Sequence, residues 1–212
     1  MNCITSVAFR EPYLRHSHTQ EIRVKELCSD VSILTYRNQL PCKGRIHTNT
    51  DTLVGEFQKS LYGFKPHAIQ LAIDKGYKKI IWFDPSVLPT TSVQILFDAL
   101  DEHQMVVVKG DAPLSKMTNQ KAKDWFGVTD EQIAGINHIG GTVYCFNFNN
   151  KKVVEVFNLW KKAEEAGIFQ NQDAFMKGDH WCDESCMALS MFKCGVNQYS
   201  ESNFRYINQK EI

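Results

Sequence analysis

The feature that most limits the possible folds of this chain is a short apolar run that ends at an acidic residue and a proline. Residues 80–83 read Ile-Ile-Trp-Phe and are followed directly by Asp84 and Pro85. The run predicts a buried strand, and the strand must end at Pro85 because proline cannot donate to a sheet ladder. In open α/β sheets, ligands bind at the carboxyl ends of the strands. We therefore expect Asp84 to lie at the ligand-binding edge of a sheet.

Strand-like runs alternate with helical periodicity along the rest of the chain. Strands are predicted at residues 4–9, 31–36, 79–83, 105–108 and 142–148, and helices at residues 66–75, 91–100 and 153–166. This alternation predicts a layered α/β fold. The polar segment 109–137 is interpreted as a surface excursion with short helices at residues 121–126 and 130–134. The polar tail from residue 199 is expected to be an edge element or partly mobile.

Length and charge restrict the possible function classes. A chain of 212 residues with 43% hydrophobic residues predicts a single domain over residues 1–212. Basic and acidic residues both number 24, so no overall field favours nucleic acid or anionic membranes. No stretch approaches the roughly 18 apolar residues of a membrane span. The seven cysteines include no CxxC pair and fit reduced thiols. A soluble, cytoplasmic protein is therefore expected.

Asp84 has two interpretations at the sequence level. It can hold a divalent cation against a diphosphate, because hard cations such as Mg²⁺ or Mn²⁺ prefer oxygen ligands and keep open positions for phosphate. Alternatively, it starts a turn or caps the following helix. The spacing alone leaves both interpretations open.

Three further segments contain residues of chemical interest. Lys65, before a proline at a helix start, is either a phosphate ligand or a solvated cation. Gly140 and Gly141 open an apolar strand and indicate either a close approach to a ligand or a tight bend. Asp183 and Glu184 precede an apolar helical stretch. They are either helix caps or groups that act as a general base or stabilise positive charge on a sugar.

Four residues near the end of the chain also suggest a zinc site. These are His180, Cys182, Cys186 and Cys194. Their spacing lacks the paired CxxC of common structural zinc sites. A zinc-stabilised interaction protein is therefore an alternative to a catalytic function.

Taken together and in this order, the segments resemble the GT-A-fold glycosyltransferases over residues 62–195. In that family an aromatic-Lys-Pro segment opens a helix, a strand delivers an acidic motif, an Asn-x-Gly segment precedes a strand, and an Asp-Gln or Asp-Glu pair begins a late helix. The matching residues here are Phe64-Lys65-Pro66, Asp84-Pro85-Ser86, Asn137 with Gly140-Gly141, and Asp183-Glu184. The resemblance implies a single GT-A-like (Rossmann-like) α/β domain, with a mixed, mainly parallel central sheet flanked by helices.

The resemblance also implies the function and the roles of individual residues. It implies a glycosyltransferase that uses a nucleotide-sugar donor, with Asp183 and Glu184 as the catalytic residues. The implied substrate-binding residues are Arg10, Tyr13, Lys65, Trp82, Asp84, Gly140 and Gly141, with Tyr13 placed to stack on the nucleotide base. The implied ligands of a divalent cation, manganese or magnesium, are Asp84, Ser86 and His180.

One departure from the family pattern motivates a second function. The usual Asp-x-Asp is Asp84-Pro85-Ser86 here, so a hydroxyl replaces a charged ligand of the cation. A non-catalytic nucleotide-sugar-binding module of the same fold is therefore an alternative to an active enzyme. The acceptor is open, because hydroxyl groups of a glycan, a protein, a small molecule or a nucleic acid are all compatible with these motifs.

Overall fold

The computed structural model describes residues 1–9, 11–42, 45–48, 62–169 and 182–211. The predicted site residues Arg10 and His180 lie outside these ranges. The strands are β1 (Asn2–Ala8), β2 (Ser32–Arg37), β3 (Gln39–Cys42), β4 (Arg45–Thr48), β5 (Lys79–Phe83), β6 (Val87–Pro89), β7 (Met105–Pro113), β8 (Asn137–Asn147) and β9 (Tyr206–Asn208). The helices are α1 (Tyr13–Leu27), α2 (Phe64–Asp74), α3 (Gln94–Glu102), α4 (Gln120–Phe126), α5 (Asp130–Ile133), α6 (Lys151–Glu165) and α7 (Cys182–Lys193).

A five-stranded sheet in the order β2-β1-β5-β8-β7 forms the centre of the fold. Strand β1 pairs in parallel with β2 and β5, whereas β8 is antiparallel to both β5 and β7. Four of the five strands therefore run in one direction. This confirms the predicted mixed, mainly parallel sheet.

Strand β5 occupies the middle of this sheet because its side chains are apolar on both faces. Ile80 and Trp82 belong to one hydrophobic layer, together with residues of α2, α6 and α7. Ile81 and Phe83 belong to the other layer, together with residues of α1 and α3. Helices thus cover both faces of the sheet, which a continuously apolar central strand requires.

The segment predicted as a surface excursion has a buried side. Strand β7 extends to Pro113 and β8 begins at Asn137, so the sheet takes up both ends of the segment. Between them lie a 3-10 turn at Leu114–Met117 and the helices α4 and α5, which confirm the two predicted short helices. Their apolar residues, including Phe126 and Ile133, are buried in the core. The excursion is therefore partly a core element.

Two register shifts interrupt the pairing of β7 with β8. Val107 pairs with Tyr144, whereas Val108 pairs with Gly140, so β8 has extra residues at 141–143. Lys109 pairs with Ile139 and Pro113 with Asn137, so β7 has extra residues at 110–112. Bulges of this kind bend a strand and re-aim its side chains. The β8 bulge lies at the carboxyl end of β5, whose last residue pairs with Val143.

The C-terminal segment packs against the turn that follows β5. Strand β9 pairs with β6, Phe204 stacks on Phe83, and the Gln209 backbone N–H donates to the Ser86 carbonyl. This confirms the predicted edge element.

None of the helices that the structure describes is long and apolar enough to cross a membrane.

Candidate functional site

Asp84 is the first residue after β5, and its neighbours fix its backbone. Its N–H donates to the Thr142 carbonyl at 2.8 Å, and its carbonyl accepts from Gln20 Nε2 at 2.7 Å. The carboxylate oxygen Oδ1 accepts hydrogen bonds from the backbone N–H and the hydroxyl of Ser86, at 3.0 and 2.8 Å. Asp84 therefore closes a local turn. Its second oxygen, Oδ2, has no hydrogen-bond partner in the described part of the chain.

A buried ion pair joins the start of α2 to the start of α7. Lys65 Nζ lies 2.6 Å from Asp183 Oδ2, and only 3% and 2% of the two side chains are exposed. The ammonium also donates to the Gly141 carbonyl at 3.0 Å. It faces the rings of Tyr62, Trp82 and Tyr144 at 4.8, 5.8 and 5.4 Å, which is cation-π geometry. The predicted contact of Lys65 with a phosphate would require the ammonium to leave Asp183.

The protonation of this buried cluster follows from its burial. The pKa of the Asp183 carboxyl is raised to about 6, because burial and the Glu184 charge, which raise it, outweigh the Lys65 ammonium, which lowers it. Burial, followed by Asp183, raises the pKa of the Tyr144 phenol well above its usual range. Tyr144 therefore stays protonated, and its hydroxyl donates to Asp183 Oδ2 at 3.0 Å.

Glu184 has a different environment from Asp183. Its oxygen Oε1 accepts the Gly141 backbone N–H at 2.6 Å, and Oε2 lies 2.8 Å from His138 Nε2. The side chain is 17% exposed, whereas that of Asp183 is 2% exposed. Both acids stand in the first turn of α7, where the helix dipole favours negative charge. Glu184 is therefore the oriented, accessible carboxylate of the two.

The bulge of β8 brings these acids towards Asp84. Thr142 binds the Asp84 backbone, and the preceding residue, Gly141, binds both Glu184 and Lys65. The phenol of Tyr62 reflects the same convergence: burial raises its pKa, and so do the charges of Asp183, Asp84 and Glu184. The carboxyl end of β5 and the start of α7 therefore form one acidic site.

The two adjacent glycines face different surroundings. A Cβ on Gly141 would lie 2.6 Å from Lys65 Nζ and 2.7 Å from Glu184 Oε1. A Cβ on Gly140 would meet Val108 no closer than 3.6 Å, which is an ordinary contact. Gly141 is thus the glycine that faces the site, and its close contacts leave no room for a side chain.

Two predicted substrate-binding residues differ in accessibility. Tyr13 is the first residue of α1 and is half-buried; Lys210 Nζ lies 5.1 Å above its ring. It lies next to His16, whose pKa is lowered, first by burial and then by the charge of Arg15. Trp82 is fully buried in β5 and forms a wall behind Lys65. The structure therefore places Trp82 behind the site instead of at an open surface.

The residues predicted to bind a metal ion lie in different environments. Ser86 is fully buried, and its hydroxyl donates to Asp84. Within residues 1–9, 11–42, 45–48, 62–169 and 182–211, no three or more His, Cys, Asp or Glu side chains are arranged so that they could hold a metal ion together. Cys182 and Cys186 are buried, and burial raises the pKa of both thiols. The zinc alternative also requires His180, which lies outside the described residues, so it stays a prediction.

Several residues of the site have no predicted role in the sequence. His138 lies in the segment with the two glycines, and Tyr144 lies in the predicted strand 142–148, but neither position carries a sequence signal for an acid partner. Trp160, on α6, donates its indole N–H to the Asp183 carbonyl at 2.9 Å.

A separate cavity of about 510 Å³ lies at the far end of α7, between residues 135–137 and 195–198. None of the predicted site residues lines it.

Comparison with known proteins identifies the fold. No protein-family model matches the sequence, and no curated protein matches it. The galactosyltransferase LgtC, solved with donor and acceptor sugar analogues, is 15% identical with a TM-score of 0.50; the match covers 93% of this chain and 72% of LgtC. Mouse xyloside xylosyltransferase 1 in its apo form is 10% identical with a TM-score of 0.54, covering 94% of this chain and 84% of that one.

A third solved structure is larger. The bifunctional glycosyltransferase WbbM in its apo form is 9% identical with a TM-score of 0.50, and the match covers 94% of this chain but 38% of WbbM. At such low identities, these similarities show the fold alone. It is the GT-A fold that the order of the sequence segments predicts.

Proposed function

We propose that this chain transfers a sugar from a nucleotide-sugar donor to an acceptor hydroxyl. The observation that carries the proposal is the meeting of Asp84, Gly141 and Glu184 at the carboxyl end of β5 in a GT-A fold. Ligands of open α/β sheets bind at that edge. The site offers the Asp84 oxygen Oδ2, to which no described residue donates a hydrogen bond, and an oriented, partly exposed carboxylate at Glu184.

The chemistry of glycosyl transfer suits the two acids of α7 unequally. The bond from the anomeric carbon to the diphosphate oxygen breaks, and the diphosphate leaves with the electron pair while positive charge develops on the sugar. The acceptor oxygen bonds to the anomeric carbon and loses its proton to a base. Glu184 is suited to stabilise that charge or to take the proton, since its oxygens are held by Gly141 and His138 while part of the side chain stays exposed. Asp183 is buried beside Lys65 and shapes the site from behind.

A divalent cation is compatible with Asp84. Mg²⁺ is usually held by one or two carboxylates together with substrate phosphates and water, so a single carboxylate oxygen is sufficient on the protein side. Asp84 Oδ2 would be that ligand. A bound manganese or magnesium ion would neutralise charge on the diphosphate leaving group.

The donor's nucleotide is expected on the α1 side of Asp84. Tyr13 is only half-buried there, and α1 also contributes Gln20 to the Asp84 carbonyl. A tyrosine ring in this position can stack on a base, because its face is apolar and broad. We propose this role for Tyr13.

Calorimetric titration of a panel of nucleotide sugars, with and without Mn²⁺, tests the proposal. The wild-type protein is expected to bind one donor, and Asp84→Ala is expected to weaken that binding at least about 10-fold by removing a charged contact. Asp98→Ala is the matched control, since Asp98 is exposed on α3 and bonded to Gln94. If no nucleotide sugar in the panel binds, the proposed function is wrong.

The non-catalytic binding module remains a second candidate because one observation favours it. The hydroxyl of Ser86 is turned inwards to Asp84, so the turn presents one carboxylate where the family motif has two. Turnover decides between the candidates. Two assays are used: hydrolysis of the bound donor, and transfer of its sugar to a mixture of glycan, protein, small-molecule and nucleic-acid acceptors. Activity in either assay that is lost in Glu184→Gln indicates an enzyme. Binding without turnover indicates the module.

A further inference from the structure

We propose that His138 is a positioning residue that holds the Glu184 carboxylate in its working orientation, and that Gly110 provides the space for its ring. The inference rests on the proposed function, because it concerns the group that we assign to the chemistry. His138 Nε2 lies 2.8 Å from Glu184 Oε2, and their side chains are 10% and 17% exposed. A hydrogen bond at this depth is poorly replaced by water.

Two residues of the same strand, β8, hold the Glu184 carboxylate. The Gly141 N–H fixes one oxygen and the His138 ring fixes the other, so rotation about the last side-chain bond of Glu184 would break both contacts. The two donors belong to β8, on either side of Gly140. Removing the ring leaves one anchor, and the carboxylate is then free to rotate towards solvent.

The two neighbouring acids have separate partners. Asp183 is neutralised by Lys65 and accepts the Tyr144 hydroxyl. Glu184 has neither contact and is paired with His138 instead. The imidazole is therefore the side-chain partner that distinguishes the accessible acid from the buried one.

The backbone opposite His138 is shaped to admit its ring. Gly110 lies in the β7 bulge, and a Cβ there would lie 2.5 Å from His138 Nδ1 and 3.2 Å from the His138 carbonyl. Since real Cβ atoms essentially never approach so closely, an alanine at this position must displace the ring. Gly135 offers a matched control, because a Cβ there would meet nothing within 4 Å.

Four variants test the proposal in the full chain, with the donor that the panel identifies. His138→Leu is expected to lower kcat about 10- to 100-fold with little change in donor KM, because a misplaced catalytic group costs rate more than binding. His138→Gln keeps an N–H near the position of Nε2 and is expected to stay within about 3-fold of wild type. Gly110→Ala is expected to lower kcat, whereas Gly135→Ala leaves it unchanged.

A second readout does not depend on turnover. In ¹H–¹⁵N spectra, the hydrogen-bonded His138 ring N–H is expected to exchange slowly with water, and its signal is expected to disappear in Glu184→Ala. Equal loss of kcat in the leucine and glutamine variants, unchanged kcat in His138→Leu, or a ring signal insensitive to Glu184 would each overturn the proposal. If wild type turns over no donor, the proposed function fails, while the spectra still decide whether His138 holds Glu184.

Discussion

Replacing Gly141 by alanine is the most informative single perturbation, because its neighbour Gly140 provides an internal control. Both glycines belong to β8, and neither has the left-handed backbone that disfavours alanine. The added methyl at Gly141 would lie 2.6 Å from Lys65 Nζ and 2.7 Å from Glu184 Oε1. At Gly140 the nearest atom would be 3.6 Å away. The two variants therefore add the same methyl group, in one case to a crowded position and in the other to a position with ordinary contacts.

The expected magnitude follows from the contacts that the methyl displaces. Overpacking typically costs about 1–3 kcal/mol, and loss of a hydrogen bond to a charged group costs about 1.5–3 kcal/mol. Alanine in place of glycine also stabilises the fold by about 0.4–1 kcal/mol, because it lowers the conformational entropy of the unfolded chain. Glu184 can turn towards solvent, but Lys65 is 3% exposed, and any shift of its ammonium stretches its contacts with Asp183 and the Gly141 carbonyl. Gly141→Ala should thus lose about 2–4 kcal/mol, and Gly140→Ala should stay within about 1 kcal/mol of wild type.

Urea unfolding followed by tryptophan fluorescence measures this difference. In a domain of this size, each kcal/mol corresponds to about 2–4 °C in Tm, so a thermal scan should separate the two variants by several degrees. Donor affinity, measured on the same samples, should fall in Gly141→Ala alone. If the two variants are equally stable, the side chains of Lys65 and Glu184 are not held as the structure has them, and the reasoning is refuted.

Three further predictions concern the acids. Lys65→Met leaves Asp183 buried without a counter-charge and should lower the unfolding free energy, measured in urea, by about 3–5 kcal/mol. The double variant Lys65→Met/Asp183→Leu should regain much of that lost stability. If it regains none, the two residues are not coupled. Because burial raises the pKa of Asp183 to about 6, the folded state binds a proton that the unfolded chain has lost above pH about 4. This group's contribution to stability should therefore fall as pH rises from about 4 to 6, and urea midpoints of Asp183→Asn should lack that slope. Chelation of divalent cations by EDTA should weaken donor binding in the wild type but not in Asp84→Ala; equal weakening in both would remove Asp84 as a cation ligand.

The layered fold could be predicted from the sequence because its signals are local. The bounds predicted for the central strand, residues 79–83, are those of β5, since a continuous apolar run fits only a position that is covered on both faces. The alternation of strands with helical periodicity, and the order of the acidic, glycine and late acidic segments, likewise depend on neighbouring residues. Strand β8 begins five residues before the predicted start, at Asn137 instead of residue 142, because its first residues include two polar residues and two glycines and pair with β7 beyond the end of β5.

The arrangement within the site was decided by the tertiary structure. Lys65 and Asp183 are 118 residues apart, and no local pattern shows that burial commits them to each other. The bulge at residues 141–143 makes Gly141 the glycine at the site, and it depends on the register between β7 and β8. The sequence therefore determined which residue types reach the carboxyl edge of the sheet. Long-range pairing then decided that Asp183 is buried as a counter-ion while Glu184 stays accessible beside His138, because burial and hydrogen bonding are properties of the folded neighbourhood.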